Sequence, residues 1–475
     1  MQALRRSAPF ALPIKILQFG QGNFLRGFFD WQVDLLNERT GLNAGVVVVR
    51  PRGGGSAPLL DTQDGLFTVL VRGLDEAGQP VKEYRQVGCV QRELDLNTMW
   101  ADYLAQAANP DLRFIVSNTT EAGIAVNDTD AFDDAPPSTF PAKLTRLMFE
   151  RFTAFDGAHG KGLVLLPCEL IDDNGGALRR AVLHYARLWR LDPDFAEWVE
   201  ASCSFCSTLV DRIVTGYPSA DAGVIEEELG YRDAFLVAAE YYNLLVIKGP
   251  ASLADELHLA GARLNVKMVD DITPYKKRKV GILNGGHTSL VPVALLAGLE
   301  AVGQAVDDPQ VGAWLRAAIE QEIIPALEMD RAELQEFAED VLRRFRNPAI
   351  HHRLASIALN SWSKFAARVM PQLLNYIELH HGKLPWRLVQ ALAATIVLYR
   401  GGVIELADDK ANLEWFEQAW QKVNDKKWSV DQLVQGWLAN RALWGRDLNQ
   451  VQGLAAAVVQ AVERIDNAGI RQALT

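Results

Sequence analysis

The order of residues 14–50 constrains the fold more than any other feature of the chain. Residues 14–19 (IKILQF) predict a short buried strand, and a glycine-containing turn, 20–22 (GQG), follows at once. A helical pattern over 28–40 then leads to a second apolar, β-branched run at 46–49. Strand, glycine turn, helix and strand in this order form the first half of a dinucleotide-binding unit.

The turn between the first strand and the helix has the chemistry that a diphosphate requires. Glycines let the backbone approach a pyrophosphate, and the helix N-terminus offers unpaired N–H groups to it. The fingerprint usually has a third glycine or alanine where Leu25 stands, so the match is partial. The residues that we expect to line this turn are Gly20, Gln21, Gly22, Asn23 and Phe24.

Further apolar runs at 67–72, 114–117 and 163–166 predict more strands. The last two end in polar loops, which begin at Asn118 and in 167–169 (PCE). Strands that alternate with helical segments indicate a mostly parallel sheet, and ligands bind at the carboxyl ends of such strands. An α/β domain with a dinucleotide site at that edge is therefore predicted.

After about residue 285 the sequence becomes almost entirely amphipathic and helical in pattern. Strand signals nearly disappear, which indicates an all-α C-terminal domain. We place the boundary so that the domains are 1–272 and 273–475. The predicted helical segments are 297–325, 331–345, 349–379, 385–400, 411–423, 429–443 and 453–472.

Charge and cysteine content exclude several classes of partner. A formal net charge of -11 argues against nucleic acid or an anionic membrane surface as a standing partner. No apolar run approaches the roughly 20 residues of a membrane span. Four cysteines in 475 residues give no disulfide framework and fit a reducing cytoplasm. The pair Cys203 and Cys206 lacks a second pair of ligands, so no metal site is predicted. The oligomeric state is left open.

Residues 279–287 (KVGILNGGH) place three polar side chains at the spacing K-x4-N-x2-H. An amine can exchange a proton with an alcohol, an amide can hydrogen-bond a carbonyl oxygen, and an imidazole can orient either group. In an α-helix Lys279 and His287 would lie roughly 80° apart, and Asn284 and His287 roughly 60° apart. Without other information they would be read as a surface lysine, a helix cap and a core histidine. Their position at the predicted domain boundary favours a ligand site.

With these motifs in view, the chain resembles the polyol-specific long-chain dehydrogenases, the mannitol dehydrogenase family. The resemblance covers nearly the whole chain and implies a Rossmann-like N-terminal domain, a helical C-terminal domain and catalysis without a metal. The segments that carry it are 19–24 (FGQGNF), 62–67 (TQDGLF), 117–121 (SNTTE), 210–213 (VDRI) and 279–287.

The resemblance also implies a role for each residue of the motif. Lys279 is expected to be the general acid/base, and His287 to orient the substrate hydroxyls. Asn284 is expected to polarise the ketone together with Ser207, which stands where most members have asparagine.

Charged residues elsewhere are expected to contact the substrate. Glu240 matches an acidic position near the substrate, with a solvated helix charge as the alternative. Arg346 and Lys364 are candidates for a substrate carboxylate, with a helix-surface position as the alternative for each.

On the cofactor side, Asn118, Thr119 and Thr120 are expected near the nicotinamide ribose. Asp64 matches the Q-D-G-L segment of the family, although a loop aspartate can also cap a turn.

The substrate implied by the resemblance is a ketohexuronate. Segments such as 166–171 (LPCELI) and 205–218 favour NAD-dependent interconversion of D-tagaturonate and D-altronate in hexuronate breakdown. Fructuronate, or fructose reduced to mannitol, are the alternative substrates. A catalytically silent nucleotide-binding regulator is the alternative outside enzymology.

The cofactor prediction rests on two opposed signals. The second strand ends in 50–52 (RPR), without the acidic residue that commonly holds the ribose 2′-hydroxyl of NAD. Two arginines there would favour the 2′-phosphate of NADP, whereas the resemblance favours NAD. We expect NAD, with Arg50 as an adenosine-side contact and Arg52 as the source of any activity with NADPH.

Overall fold

The computed structural model describes residues 2–8, 10–50, 58–119, 123–350 and 352–474. The chain divides into two compact units. The first unit comprises Met1–Asp75 with Pro80–Ile272, and the second comprises Glu76–Gln79 with Thr273–Thr475.

The first unit is built around β-strands, numbered in chain order. They are β1 (Ile14–Phe19), β2 (Gly45–Arg50), β3 (Phe67–Leu74), β4 (Pro80–Val87), β5 (Val90–Asp95), β6 (Phe114–Ser117), β7 (Val164–Pro167), β8 (Ser204–Phe205), β9 (Ser207–Asp211), β10 (Val214–Gly216), β11 (Val237–Glu240), β12 (Leu244–Lys248) and β13 (Val266–Val269).

The largest sheet among the described residues is parallel throughout. Its strand order is β5-β2-β1-β6-β7-β8. The chain moves outward from β1 in one direction and then, from β6, in the other, so β1 and β6 flank the switch point at which α/β sheets bind ligands. The predicted α/β dinucleotide-binding fold of the N-terminal part is confirmed.

The predicted strand at 67–72 exists but lies outside the parallel sheet. It is part of β3, which belongs to a sheet of order β10-β11-β3-β4. There β3 is antiparallel to β4 and parallel to β11. A third sheet has the order β13-β12-β9. A buried apolar run predicts a strand but not the strand that it pairs with.

The central strands of the parallel sheet are buried on both faces. In β1, Ile16 packs into one core cluster, and its neighbours Leu17 and Phe19 pack into another. Val46 and Val49 of β2 divide between the two clusters in the same way. Burial on both faces explains why these strands are continuous apolar runs. Each such side chain contributes about 1.5–3 kcal/mol when fully buried.

Helices cover this sheet and connect its strands. The first one continues from Asn23–Leu25 through a π-helical stretch, Arg26–Asp30, into Trp31–Thr40. The other α-helices of the first unit are Trp100–Ala105, Phe140–Ala154, Asn174–Leu188, Pro193–Ser202, Ala222–Leu229 and Leu253–Glu256. Single 3-10 turns occur at Leu60–Gln63, Gln106–Ala108 and His159–Lys161.

The described residues after 272 are helical and contain no strand, apart from one isolated bridge. The all-α prediction for this part is confirmed. The α-helices are Thr273–Arg278, Gly285–Leu296, Val302–Asp307, Pro309–Ala318, Arg331–Phe345, Leu354–Ile357, Ser361–Arg368, Met370–Leu379, Trp386–Leu398, Lys410–Asn424, Val430–Leu438, Arg441–Trp444, Leu454–Ala468 and Ile470–Ala473. Lys279–Asn284 and Ile319–Ile323 are π-helical, and Ile324–Ala326 and Leu448–Gln450 are 3-10 turns.

Two helices form the centre of the second unit. Gly285–Leu296 and Trp386–Leu398 are buried along nearly their whole length and pack on each other. A helix that is apolar on all sides belongs in a core. The sequence 279–287 therefore leads directly into the core helix of this unit. No helix in the described part of the chain is long and apolar enough to cross a membrane.

Candidate functional site

The turn after β1 requires glycine at its first position. Gly20 has φ +121°, a backbone conformation that side-chain-bearing residues rarely adopt. A Cβ on Gly20 would also lie 3.2 Å from the carbonyl oxygen of Asn118, at the end of the neighbouring strand β6. The turn therefore lies at the carboxyl edge of the sheet, between the two strands that flank the switch point.

The helix that follows starts without a side-chain cap. Gly22 is its N-cap residue and makes no side-chain hydrogen bond, and no described atom lies within 4 Å of the position its Cβ would occupy. The first N–H groups of a helix have no partner within the helix and attract anions. This open end has the geometry for a diphosphate. Phe24 is also expected to line this turn, and its ring stacks on Phe28 with centroids 5.0 Å apart.

Arg26 hydrogen-bonds two residues of the turn. It is buried, with 7% of its surface exposed, and lies in the π-helical stretch. Its Nε donates to the carbonyl oxygen of Gln21 at 3.2 Å, and its Nη2 donates to Oδ1 of Asn23 at 2.7 Å. The guanidinium therefore fixes two of the turn residues predicted to bind the cofactor.

Gln18 links the turn to the buried carboxyl group of Asp30. Nε2 of Gln18 donates to the carbonyl oxygen of Gly20 at 3.1 Å and to Oδ2 of Asp30 at 3.2 Å. Asp30 is fully buried, and burial raises its pKa to about 7, against the lowering effects of Gln18 and Arg26. Asp30 is therefore largely a neutral acid below pH 7.

Asn118 and Thr119 lie at the carboxyl edge, as predicted, but their side chains bind neighbouring protein groups. Nδ2 of Asn118 donates to the carbonyl oxygen of Cys168 at 2.8 Å. The N–H and hydroxyl of Thr119 both donate to Oε1 of Glu169 at 2.9 Å. Burial raises the pKa of Glu169, and these donors oppose that rise. Thr120 lies outside the described residues.

Arg50 ends β2, but its guanidinium faces the interior. It is 2% exposed and makes bonds of 2.9 and 3.0 Å to Oε1 of Glu93 on the adjacent strand β5. Its Nη2 also donates to the carbonyl oxygen of Pro58 at 3.0 Å. The predicted adenosine-side contact is corrected accordingly, because an ion pair holds the group. Arg52 lies outside the described residues.

Asp64 lies away from the turn. It has φ 55°, and its carboxylate accepts hydrogen bonds from Nη1 of Arg5 and the N–H of Arg6. The adjacent Gly65 packs against Val90, the first residue of β5, which is five residues (about 17 Å) before the carboxyl end of that strand. Asp64 therefore anchors the N-terminal segment, which corrects its assignment to the cofactor site.

In the second unit, Lys279, Asn284 and His287 lie on one continuous helix. Lys279–Asn284 is the π-helical part, between Thr273–Arg278 and Gly285–Leu296. In an α-helix Lys279 and Asn284 would be about 140° apart. A π-helix bonds residues five apart and thereby brings these two positions toward one face. Both are partly exposed, whereas His287 is buried. The helical arrangement predicted for the motif is present, with a π-turn that the spacing did not reveal.

His287 lies in an aromatic pocket beside positive charge. Its ring stacks on Phe345 with centroids 3.9 Å apart and meets His352 edge-on at 5.1 Å. Burial lowers its pKa well below 6.5, and His352, Arg344 and Arg368 add to this effect. The imidazole is therefore neutral at pH 7, with one nitrogen able to donate and the other to accept. Its Nε2 has no hydrogen-bond partner among the described residues.

The two predicted carboxylate-binding residues are engaged elsewhere. Arg346 is 44% exposed and pairs with Asp307 at 3.4 Å. Nζ of Lys364 donates to the carbonyl oxygen of Ile357 at 2.9 Å. For Arg346 the helix-surface alternative fits better. Arg344, two residues earlier, is the arginine of this segment that lowers the pKa of His287.

Ser207 and Glu240 belong to the first unit. Ser207 begins β9, and its hydroxyl donates to Oδ1 of Asp173 at 3.1 Å. Glu240 ends β11 and is 1% exposed, and its Oε1 accepts from the N–H of Ile213 at 2.6 Å. Glu240 is thus a buried strand residue, and the alternative of a solvated helix charge is wrong. Because a hydroxyl has one proton to donate, Ser207 could donate to a ketone only by giving up its hydrogen bond to Asp173.

Within the described residues, no group of three or more histidine, cysteine or acidic side chains could hold a metal ion. The four cysteines are free thiols.

Sequence reasoning missed Arg26, Glu93, Arg344 and Arg368. Arg26 carried a usable signal, since it is a charged residue inside the apolar start of a helix, and Glu93 is a charge within the run 90–95 (VQRELD). The contribution of Arg344 and Arg368 depends on how helices pack, which no local pattern encodes.

Two protein-family models match the chain. The model described as "Mannitol dehydrogenase Rossmann domain" matches residues 14–261, and "Mannitol dehydrogenase C-terminal domain" matches residues 271–466. Curated relatives named altronate oxidoreductase are similar over nearly full length. The protein from Cronobacter sakazakii is 54% identical over 99% of this chain and 98% of its own. The one from Yersinia enterocolitica is 53% identical over 97% and 96%.

Two solved structures share the fold. One is the ternary complex of Pseudomonas fluorescens mannitol 2-dehydrogenase with NAD and D-mannitol, at a TM-score of 0.70 and 23% identity, with coverage of 98% of this chain and 94% of that one. The other is a D-sorbitol dehydrogenase in substrate-free form, at a TM-score of 0.77 and 22% identity, with coverage of 98% and 96%. At 22–23% sequence identity, this similarity establishes the fold alone.

Proposed function

Because the chain belongs to the mannitol dehydrogenase family, we propose that it is an NAD-dependent oxidoreductase that interconverts D-altronate and D-tagaturonate. The observation that carries this proposal is the Lys279, Asn284 and His287 motif on one helix, in a chain 53–54% identical over nearly its whole length to altronate oxidoreductases. The family acts on small sugar-type substrates, and the substrate proposed here is a sugar acid.

The proposed cofactor site is the turn Gly20–Asn23 at the carboxyl edge of the parallel sheet. The free N–H groups at the start of the helix would hold the diphosphate, and Arg26 would keep the turn in position from beneath. Asn118 and Thr119 frame the same edge. NADH supplies a hydride to the substrate when it is bound.

The chemistry proposed for the protein itself is proton transfer and oxygen stabilisation. In the reducing direction the ammonium of Lys279 donates a proton to the ketone oxygen while hydride adds to the carbonyl carbon, giving an alcohol and a neutral amine. In the oxidising direction the amine accepts the alcohol proton. The Asn284 amide donates a hydrogen bond to the same oxygen as negative charge develops on it. Neutral His287, fixed by Phe345, orients a substrate hydroxyl.

The positive charge around His287 supports an anionic substrate. Arg344 and Arg368 both lower the pKa of its imidazole through their positive charge, and Arg344 is itself buried. A guanidinium in a buried setting forms strong charge-assisted bonds to a carboxylate. This favours a ketohexuronate over an uncharged ketose. We place the enzyme in the cytoplasm, which the four free thiols support.

The proposal is tested by following NAD reduction with D-altronate as the substrate and D-mannitol as an uncharged polyol for comparison. We expect turnover of D-altronate that depends on Lys279, with kcat/KM for D-mannitol at least about tenfold lower. Turnover of D-mannitol at the same efficiency, or D-altronate oxidation unaffected by Lys279→Ala, would contradict the assignment.

A further inference from the structure

Arg50 occupies the position at which dinucleotide-binding folds distinguish their cofactors. It is the last residue of β2, the strand next to β1 in the parallel sheet. In such folds the group at the tip of this strand reads the adenosine ribose, where an acid favours the 2′-hydroxyl and an arginine favours the 2′-phosphate. An arginine here would by itself select NADP.

Glu93 removes that arginine from solvent. It lies on β5, on the far side of β2 from β1, and is fully buried. Its Oε1 accepts two bonds from Arg50, from Nε at 3.0 Å and Nη2 at 2.9 Å. Its Oε2 accepts the N–H of Leu60 at 2.7 Å, so both oxygens are used and the carboxylate has a fixed orientation.

Arg50 is held from a second side as well. Its Nη2 donates to the carbonyl oxygen of Pro58, two residues before Leu60. One acid therefore positions both the arginine and the backbone segment 58–60 that covers it. Turning the Nε and Nη2 groups of Arg50 toward a 2′-phosphate would break a buried, doubly hydrogen-bonded ion pair and leave Glu93 charged and unpaired. Breaking a buried pair from one side is strongly unfavourable.

We propose that Glu93 is the positioning residue that determines the preference for NAD over NADP, by holding the guanidinium of Arg50 away from the ribose 2′ position. This inference rests on the proposed function, because it concerns the cofactor of that reaction. In this protein an arginine held in an ion pair sets the preference for NAD. In the usual NAD-specific site an acidic residue at the strand tip does so.

The test is the ratio of kcat/KM for NADPH to that for NADH, measured with D-tagaturonate. Glu93→Gln keeps the shape of the side chain but removes the charge that holds Arg50. We expect the ratio to rise at least about tenfold, equivalent to about 1.4 kcal/mol. The double variant Arg50→Gln, Glu93→Gln should return the ratio to the wild-type value, because the arginine that would bind the phosphate is gone.

Glu322→Gln is the matched control. Glu322 is also a buried glutamate, paired with Arg387 at 3.2 Å and accepting the N–H groups of Arg387 and Leu388, but it lies in the helical unit. It should lower thermal stability as Glu93→Gln does and leave the cofactor ratio unchanged. Should Glu93→Gln fail to fold, Glu93→Asp retains the charge at a shorter reach and should raise the ratio by a smaller factor.

The inference is overturned if the folded Glu93 variant loses activity with both cofactors equally, or if the double variant keeps the raised ratio. Wild-type enzyme that turns over D-tagaturonate with neither cofactor would instead contradict the proposed function. The two failures are therefore distinguishable.

Discussion

Lys279 is the single residue to which we assign proton transfer. Replacing it with alanine should leave the fold and NADH binding intact and lower kcat by about 10²–10⁴, the usual contribution of a general acid or base. Lys277→Ala is the control, because Lys277 is an exposed lysine two positions earlier on the same helix. The measurements are kcat with D-tagaturonate and NADH titration by fluorescence. Equal losses in the two variants would remove Lys279 from this role.

The raised pKa of Asp30 should make the stability of the folded protein depend on pH. Its folded pKa is raised to about 7 from 3.8, so the folded state retains a proton that the unfolded state loses. Its contribution to stability is complete below about pH 4 and is lost as pH rises through 7. Arg26, Asp34 and Cys89 are the other titratable groups that interact with it, and Arg26 opposes the shift.

Asp30→Asn cannot ionise and should therefore gain stability relative to wild type as pH rises from 5 to 8. The gain is on the order of a few kcal/mol. Calorimetric melting curves of both proteins at each pH measure it. A constant difference in melting temperature across this range would show that Asp30 is ionised in the folded protein.

The residues with distinctive chemistry could be predicted from sequence, and those that depend on packing could not. Lys279, Asn284 and His287 share one helix, so a local motif could single them out, although it was the family resemblance that gave them roles. Arg344 and Arg346 are two residues apart at a helix end, and only the helix register decides which one is buried. The pairing of Arg50 with Glu93 joins residues 43 positions apart and depends on sheet order.

At the scale of elements, both proposed functional segments contain a π-helical stretch, Arg26–Asp30 below the turn and Lys279–Asn284 in the motif. Such insertions are often found at functional sites. They change which side chains share a face, and hydrophobic periodicity does not reveal them. The assignment of 67–72 to a mixed sheet was unpredictable for a similar reason, because strand pairing is a long-range choice.

Gly285 and Gly286, at the start of the helix Gly285–Leu296, allow the packing of that helix to be tested. A Cβ at Gly285 would lie 3.2 Å from the backbone oxygen of Arg368, whereas one at Gly286 would lie 3.4 Å from the end of the Ile319 side chain. Gly285→Ala should therefore displace the end of Ser361–Arg368, lower stability by about 1–3 kcal/mol and lower kcat. Gly286→Ala should be neutral or stabilising, since alanine favours a helix by up to about 1 kcal/mol over glycine. Melting temperatures and kcat of the two variants decide this, and a larger loss in Gly286→Ala would contradict the packing described.

At the scale of the whole molecule, the protein combines a parallel-sheet unit, which carries the proposed cofactor-binding edge, with a helical unit, which carries the proposed proton-transfer motif. The proposed reaction draws its proton and its oxygen stabilisation from Lys279 and Asn284, so it should need no metal. Exhaustive dialysis against EDTA should leave kcat unchanged within a factor of two or so. Activity that EDTA removes and zinc or manganese restores would contradict this mechanism.

NADH consumption with D-tagaturonate, D-fructuronate and D-tagatose, measured side by side, shows whether the enzyme reduces a ketohexuronate. We predict that D-tagaturonate has the highest kcat/KM. We also predict that kcat/KM for D-tagatose, which lacks the carboxylate, is lower by at least roughly tenfold, because the charge-assisted bonds to arginine are lost. Equal turnover of D-tagatose and D-tagaturonate would show that the enzyme acts on uncharged sugars and contradict the assignment.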